Sequence, residues 1–177
     1  MIFYKKFNYR GFNPQDFLDF LPEVSANETM MTTYVCNKDD YKEINRVLNI
    51  SYPIYSGLYF CTQPQGFNSI HIDSILGATN FPTIALNIPL VDCDKTIMYW
   101  YESIDKSKET FMRGPTKGDP VPKLTFDNAI TLKETPFDVP TFIRIDRWHN
   151  VKNYNTDTCS KMLSVRFRHP GYFQGEI

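Results

Sequence analysis

The spacing of hydrophobic and polar positions changes near residue 50. Before it, two segments carry apolar residues at helical spacing. The first begins at Asn13-Pro14, where asparagine can cap a helix and proline suits its first position, and it ends at Pro22. The second begins at Asn37 and is apolar on one side, at Tyr41, Ile44, Val47 and Leu48. The pattern therefore predicts two helices within residues 1–50.

After residue 50, short apolar and aromatic runs predict strands. Residues 83–90 alternate in character, with apolar residues at 84, 86, 88 and 90, which is typical of a half-buried strand. The predicted strands are 55–60, 69–73, 83–90, 96–101, 125–132, 141–145 and 162–167. By contrast, residues 103–123 are polar and rich in Lys, Gly and Pro, which predicts a loop or lid. Because specificity often lies on loops over a rigid scaffold, we expect this segment to cover the mouth of a site.

A helical start followed by short, regularly spaced strands favours a mainly β fold. We predict an antiparallel barrel or jelly roll with the N-terminal helices packed on one face. A chain of 177 residues is expected to form one domain, here 1–177, with a helical part at 1–50 and a β core at 51–168.

Composition and charge narrow the class of protein. The chain is 42% hydrophobic and 22% charged, as globular domains are, and its net charge of -1 does not indicate a nucleic-acid partner. The C-terminal third is locally basic, which fits either a solvated face or a pocket for an anionic small molecule. The basic residues concerned are Arg144, Arg147, Lys152, Lys161, Arg166 and Arg168.

Cysteine spacing and hydropathy indicate in which cellular compartment the protein is expected. No apolar run approaches 18 residues, so we expect no membrane span, and the N-terminus has no signal pattern. None of the four cysteines lies in a C-x-x-C pair, which argues against a zinc ribbon. We predict reduced thiols in a cytoplasmic protein, with Cys36, Cys61 and Cys93 acting as small buried hydrophobes.

Two of the three histidines offer metal-binding chemistry. His71 and Asp73 are two residues apart in a predicted strand, so their side chains point the same way. His149 lies at the end of the predicted strand 141–145, which can neighbour the first in a rolled sheet. Two imidazoles and one carboxylate are the minimal set for a mononuclear Fe(II) site with open positions. The alternative is structural, with one histidine at a strand edge and the other in a turn.

The surroundings of these residues carry a family resemblance. The chain resembles the 2-oxoglutarate and Fe(II)-dependent oxygenase superfamily, especially small phage-encoded proteins related to prolyl and asparaginyl hydroxylases. The resemblance covers about residues 55–168. The matching blocks are Ile70-His71-Ile72-Asp73, residues 85–90, Asp92-Cys93, Trp100-Tyr101-Glu102, residues 140–143, His149-Asn150-Val151 and residues 163–167.

The resemblance implies a fold, a metal, a cosubstrate and a reaction. The fold would be a double-stranded β-helix, a cupin-like jelly roll, with His71, Asp73 and His149 as the catalytic iron ligands. The cosubstrate 2-oxoglutarate would chelate the iron, and O2 would oxidise a C–H bond of a small-molecule or peptide substrate. A peptidyl residue, a free amino acid and a nucleobase all stay open. Halogenases of this fold lack the carboxylate ligand, which leaves room for a halide. The presence of Asp73 therefore argues for hydroxylation. Phage relatives extend the expected location to the cytoplasm of an infected cell.

Two residues are candidates for the cation that would bind the distal carboxylate of 2-oxoglutarate. Its usual place, about ten residues after the second histidine, is held by Cys159, with Lys161 just beyond. If the apolar residues 163, 165 and 167 pack outward, Ser164 and Arg166 face the mouth. We therefore prefer Arg166, with Lys161 as the alternative. Among strand residues, Tyr59, Asn87 and Tyr99 could line the pocket, although core packing is the simpler role for them.

Two other functions compete with the oxygenase. One is a catalytically impaired jelly-roll module that binds a partner or has a structural role, suggested by the displaced basic residue. The other is a non-oxidative metal enzyme of cupin type, although such sites usually carry more histidines. Metal preference separates this non-oxidative enzyme from the oxygenase, since an oxygenase needs Fe(II) whereas a hydrolase accepts zinc.

Overall fold

The computed structural model describes residues 2–7, 11–24, 30–50, 52–73, 83–113 and 120–167. Within them lie two α-helices and twelve β-strands. The helices are α1 (Gln15–Leu18) and α2 (Lys38–Leu48). The strands are β1 (Tyr4–Lys6), β2 (Met31–Val35), β3 (Ile54–Thr62), β4 (Ile70–His71), β5 (Ile84–Val91), β6 (Thr96–Ser103), β7 (Thr110–Arg113), β8 (Pro120–Leu124), β9 (Ala129–Pro136), β10 (Thr141–Arg144), β11 (His149–Asn153) and β12 (Ser160–Phe167).

The strands form two antiparallel sheets of six. The first sheet has the order β1-β10-β5-β12-β3-β2, and the second has the order β7-β8-β4-β11-β6-β9. The prediction of a mainly β fold is therefore confirmed.

Successive strands alternate between the sheets over most of the β core. From β3 to β6, and again from β9 to β12, each strand lies in the sheet opposite to the one before it. Neighbours within a sheet are consequently distant in sequence: β12 lies between β3 and β5, and β11 lies between β4 and β6. This order brings residues near 70 next to residues near 150.

One hydrophobic cluster fills the space between the sheets. Met98, Trp100 and Val151 of the second sheet pack with Ile143 and Met162 of the first. A larger cluster covers the other face of the first sheet, where the helices pack. Its buried members include Phe17, Ile44, Leu48, Tyr59, Leu163 and Val165. Helices on one side and a sheet on the other therefore enclose the first sheet.

Strand β5 shows the effect of this enclosure. The alternation along residues 83–90 predicts burial of one face only, and that expectation is wrong. Every residue from Ile84 to Leu90 is buried, including Asn87 and Pro89. Because β5 lies inside a sheet that is covered on both faces, polarity at alternate positions does not mean exposure.

The N-terminal helices begin close to the predicted positions. At α2, Asn37 Oδ1 accepts hydrogen bonds from the backbone N–H groups of Asp39 and Asp40, at 2.8 and 3.2 Å. The Asp40 carboxylate accepts one in return from Asn37 N at 2.7 Å, which completes a capping box. Helix α1 is only four residues long, shorter than its apolar pattern indicated. The same 50 residues also contain β1 and β2, the two edge strands of the first sheet, which the sequence pattern did not reveal.

Three further predictions differ from the structure. The expected loop at 103–123 contains a 3-10 turn at Lys106–Lys108 and the strands β7 and β8, while residues 114–119 lie outside the described part. The predicted strand 125–132 begins as a 3-10 turn at Phe126–Asn128 and continues as β9. His149 starts a strand of its own rather than ending β10. In each case, backbone pairing with a distant strand outweighs the local pattern.

None of the helices in the described ranges has the length and apolar character needed to cross a membrane.

Candidate metal centre

Two adjacent strands of the second sheet position the three predicted ligands. His71 lies on β4 directly opposite His149 on β11 in the antiparallel register. Asp73 follows β4, and its backbone N–H donates a 2.9 Å hydrogen bond to the carbonyl of Ile145. One carboxylate oxygen of Asp73, Oδ1, lies 2.9 Å from His71 Nε2 and 3.9 Å from His149 Nε2. Among the described residues, these three form a group whose ligand atoms all lie within 4.8 Å of one another.

Backbone carbonyls orient both imidazole rings. His71 Nδ1 lies 2.7 Å from the carbonyl oxygen of Ser69, and His149 Nδ1 lies 2.7 Å from that of Arg147. A carbonyl oxygen only accepts, so each Nδ1 carries the proton and donates. The Nε2 atoms, which a metal would need as ligands, are the ring nitrogens that face Asp73, and a protonated His71 Nε2 donates to its carboxylate.

The polar side chains next to His149 in sequence do not orient its ring. Asp146 pairs with Arg144. Asn150 Oδ1 accepts a 2.9 Å hydrogen bond from the hydroxyl of Tyr101. The carbonyls that orient the rings belong to residues two positions before each histidine. No side-chain pattern in the sequence marks them.

Burial and neighbouring charges set the protonation of the three ligands. Burial and the adjacent His71 lower the pKa of His149 to about 4, so this ring is neutral at pH 7. Burial also opposes protonation of His71, but its hydrogen bond and charge interaction with Asp73 outweigh burial and raise its pKa. For Asp73, burial acts to raise the pKa, but Arg166 and then His71 outweigh it and hold the pKa well below its usual range. Asp73 is therefore ionised at neutral pH.

Arg166 lies directly against this carboxylate. Its Nη2 donates to Asp73 Oδ2, a contact between side chains that are only 6% and 12% exposed. The other guanidinium nitrogens, Nε and Nη1, are buried and have no hydrogen-bond partner within the described ranges. A buried guanidinium with two unpaired donors forms a strong potential site for an anion.

The triad and Arg166 border a cavity between the two sheets. Its volume is about 40 Å³, and its other walls include Phe60, Thr62, Asn87, Met98, Met162 and Ser164. Asn87 is 3% exposed, and its Oδ1 also lacks a hydrogen-bond partner in the part of the chain that the structure describes. The cavity is therefore lined by both unpaired donors and an unpaired acceptor, next to a ring of apolar side chains.

Five residues were predicted to bind the cosubstrate, and four of them lie on β12 or β3. The strand face on which each of these four lies decides whether it lines the cavity. Ser164 and Arg166 of β12 line the cavity, whereas Lys161 is not among its lining residues. Tyr59 of β3 is 1% exposed and packs in the helix-side cluster, on the opposite face of the first sheet. The structure thus joins Ser164, Arg166 and the fifth residue, Asn87, to the triad and leaves Tyr59 and Lys161 apart from it.

Sequence reasoning missed several cavity residues. On β3 these are Phe60 and Thr62, each one position from a residue that faces the helices. Because successive strand residues point to opposite faces, an error of one position exchanges the cavity for the core. The alternation along residues 163, 165 and 167 settled this question for β12. No comparable pattern in β3 distinguishes its two buried faces.

Two of the six basic residues singled out from the sequence have local partners. Arg144 pairs with Asp146, and the Lys152 ammonium lies 4.5 Å from the centre of the Tyr154 ring. Arg168 lies outside the described residues, and Arg166 lines the cavity. Of this set, Arg166 is therefore the residue placed to meet an anion in the cavity.

A second cavity of about 340 Å³ lies beside the ligand-bearing strands. Its walls include Ile72, which separates two ligands in sequence, and Trp148, which precedes the third. Tyr101, Glu102, Lys106 and Arg147 also contribute to it. Trp148 therefore lines this second cavity. Residues next to one another at the ends of β4 and β11 thus line two different cavities.

Comparison with known proteins adds no assignment. No protein-family model matches the chain, and no curated protein matches it in sequence. The functional argument therefore rests on the site itself.

Proposed function

We propose that the chain is an Fe(II)- and 2-oxoglutarate-dependent dioxygenase that hydroxylates a small molecule or an amino-acid residue. The observation that carries this proposal is the convergence of His71, Asp73 and His149 beside the buried guanidinium of Arg166. One part of the site suits a divalent metal and the adjoining part suits a carboxylate.

The strand order supports the jelly roll that this function implies. If β1, β2, β7 and β8 are set aside, the first sheet has the order β10-β5-β12-β3 and the second has β4-β11-β6-β9. These eight antiparallel strands form two facing sheets, and the chain alternates between them almost throughout. Eight strands in two sheets with such long-range pairing are the arrangement expected of a jelly roll.

The donor set fits Fe(II). Two neutral imidazole nitrogens and one ionised carboxylate are the facial ligands of non-haem iron oxygenases, and they leave positions open for other ligands. The two ring orientations are already set by carbonyls at 2.7 Å, so binding costs little further ordering of the rings. Bound iron with 2-oxoglutarate and O2 would supply the oxidation, which yields succinate, carbon dioxide and a hydroxylated product.

The remaining cavity residues fit the carboxylates of the cosubstrate. Arg166 offers two unpaired donor nitrogens, and Ser164 lies two residues away on the same face of β12. Asn87 pairs with Ser164 across the strands and adds an amide. The apolar walls formed by Phe60, Met98 and Met162 exclude water, which strengthens these charge interactions.

Anaerobic absorption spectroscopy tests the assignment. Addition of Fe(II) and then 2-oxoglutarate to the protein should produce the visible charge-transfer band of a chelated keto acid. His149→Ala should abolish the band, whereas His169→Ala, which removes the third histidine of the chain, should keep it. An intact protein that binds Fe(II) but shows no band would refute the cosubstrate assignment.

One observation favours the second candidate, a module without catalysis. The cavity of about 40 Å³ is far smaller than the roughly 300–1,000 Å³ of most small-molecule sites, and two of its lining residues, Arg166 and Asp73, are bonded to each other. A protein that used this ion pair only for stability would bind neither Fe(II) nor 2-oxoglutarate. The same titration separates the two candidates, since the binding module predicts no iron-dependent change at all.

A further inference from the structure

Arg166 occupies a position that conflicts with the proposed function in its present form. Its guanidinium is bonded to Asp73, the only carboxylate of the triad, through Oδ2. A divalent cation bound by Asp73 would place two positive groups on one carboxylate. At the same time, the cavity of about 40 Å³ that Arg166 lines is too small to admit a dicarboxylate.

Arg166 also has unused bonding capacity. Two of its three nitrogens have no partner, although the side chain is 6% exposed. Asn87 Oδ1 is a buried acceptor with no partner on the neighbouring strand β5. In the register, Arg166 lies opposite Ala85 and Ser164 lies opposite Asn87, so Arg166 and Asn87 are diagonal neighbours facing one cavity. Diagonal pairs are about 7–8 Å apart, within reach of an arginine side chain.

We propose that Arg166 exchanges partners, holding Asp73 in the metal-free protein and moving to the incoming carboxylate, beside Asn87, when metal and dicarboxylate bind. This inference rests on the proposed function and adds a coupling to it. Release of Asp73 by Arg166 frees the carboxylate for the metal, so a carboxylate that captures Arg166 raises the affinity of the triad for metal. By thermodynamic linkage, the metal raises the affinity for the carboxylate by the same factor.

The coupling distinguishes this protein from one with independent metal and anion sites. In the exchange, the ion pair with Asp73 is lost as the ion pair with the ligand forms, so Arg166 is never left buried without an anion. Metal binding alone, by contrast, displaces Arg166 with no new partner of opposite charge. The metal-only complex is therefore disfavoured, and metal should load well only together with a carboxylate.

Mn(II) titration by calorimetry, with glutarate as the anion, tests the exchange. Glutarate has the two carboxylates of the cosubstrate but no keto group, so it cannot form the keto-acid chelate. In the unmodified protein at constant ionic strength, saturating glutarate should lower the Kd for Mn(II) by about 5- to 150-fold, the usual range for coupled sites. Arg166→Gln should bind Mn(II) more tightly than the unmodified protein without any anion, and glutarate should no longer change its Kd.

A matched variant controls for loss of charge. Lys161→Gln removes a positive charge from the same strand at a residue outside the cavity lining, and it should keep both the Kd and the glutarate effect. An Arg166 that acted only by general repulsion would tighten Mn(II) binding when replaced, but glutarate would leave the unmodified protein unchanged. That result overturns the exchange, as does a glutarate effect that persists in Arg166→Gln.

The unmodified protein keeps the test decisive even if Arg166→Gln fails to fold. No change in the Kd for Mn(II) on adding glutarate overturns the exchange while leaving the metal site in place, provided His149→Ala abolishes Mn(II) binding. If the unmodified protein binds no Mn(II) with or without glutarate, both the exchange and the proposed function fail.

Discussion

Removal of Asp73 should destabilise the metal-free protein strongly, because it leaves Arg166 as an unpaired charge. The two side chains are 12% and 6% exposed and bonded to each other. Loss of one partner of a buried ion pair costs about 3–5 kcal/mol. We therefore expect Asp73→Ala to lower the free energy of unfolding by that amount, and Arg166→Met to do the same by leaving Asp73 uncompensated.

The double variant measures the interaction itself. Asp73→Ala with Arg166→Met leaves neither charge buried, so its cost should be no larger than that of one single change. The sum of the two single costs then exceeds the cost of the double variant by at least about 3 kcal/mol, which is a coupling at the upper end of the range for residues in contact. Asp146→Ala is the control, because its pair with Arg144 is 25% exposed on both sides and should contribute less than about 1 kcal/mol.

Urea unfolding in the presence of a chelator, followed by circular dichroism, provides the assay. The free energy is obtained by linear extrapolation for all four proteins and the control. Single changes that each cost under about 1 kcal/mol would show that the pair is well solvated and contradict the burial argument. Strictly additive costs would show that Asp73 and Arg166 do not interact.

Three other changes have defined outcomes. Asn37→Ala removes the acceptor of two backbone N–H groups, so it should cost about 0.5–2 kcal/mol in urea unfolding; no loss would mean that the capping box contributes nothing. Gly57→Ala would place a Cβ 3.0 Å from Cys36 Cβ and 3.3 Å from Tyr41 Cε1, and this overpacking should cost about 1–3 kcal/mol, seen as a lower Tm rather than an unchanged one. Burial raises the pKa of Cys36 from 9.0 to about 12, so its contribution to stability is present below pH 9 and lost as the pH rises towards 12. The urea midpoint should fall over that range less steeply in Cys36→Ala, and identical pH profiles would contradict this origin.

The local sequence predicted several of the helices and strands. The capping residues around Asn37 marked α2, and the apolar runs at 55–60, 83–90 and 162–167 marked strands because their side chains favour a pleated, buried surface. Strands with polar sequences were harder to predict. The strand β11 contains two asparagines and a lysine, and its stability comes from pairing with β4 and β6 rather than from its composition.

Some residues of the candidate site could likewise be predicted from the local sequence, and others could not. The types and spacing of His71 and Asp73 predicted a shared face, and the alternation along β12 predicted that Ser164 and Arg166 lie together on the other side from Leu163. On β3 the pattern could not choose between Tyr59 and Phe60, because both faces of that strand are buried and period two gives no contrast.

By itself, the sequence determined the types and spacing of the candidate ligand residues, the mainly β class and the strand faces that have one polar and one apolar side, since these depend on neighbours along the chain. The tertiary structure alone decided that His149 lies opposite His71, that carbonyls orient both rings and that Arg166 binds Asp73. These contacts join residues up to 93 positions apart. Their register arises from how two sheets close over a shared core, which no local pattern encodes.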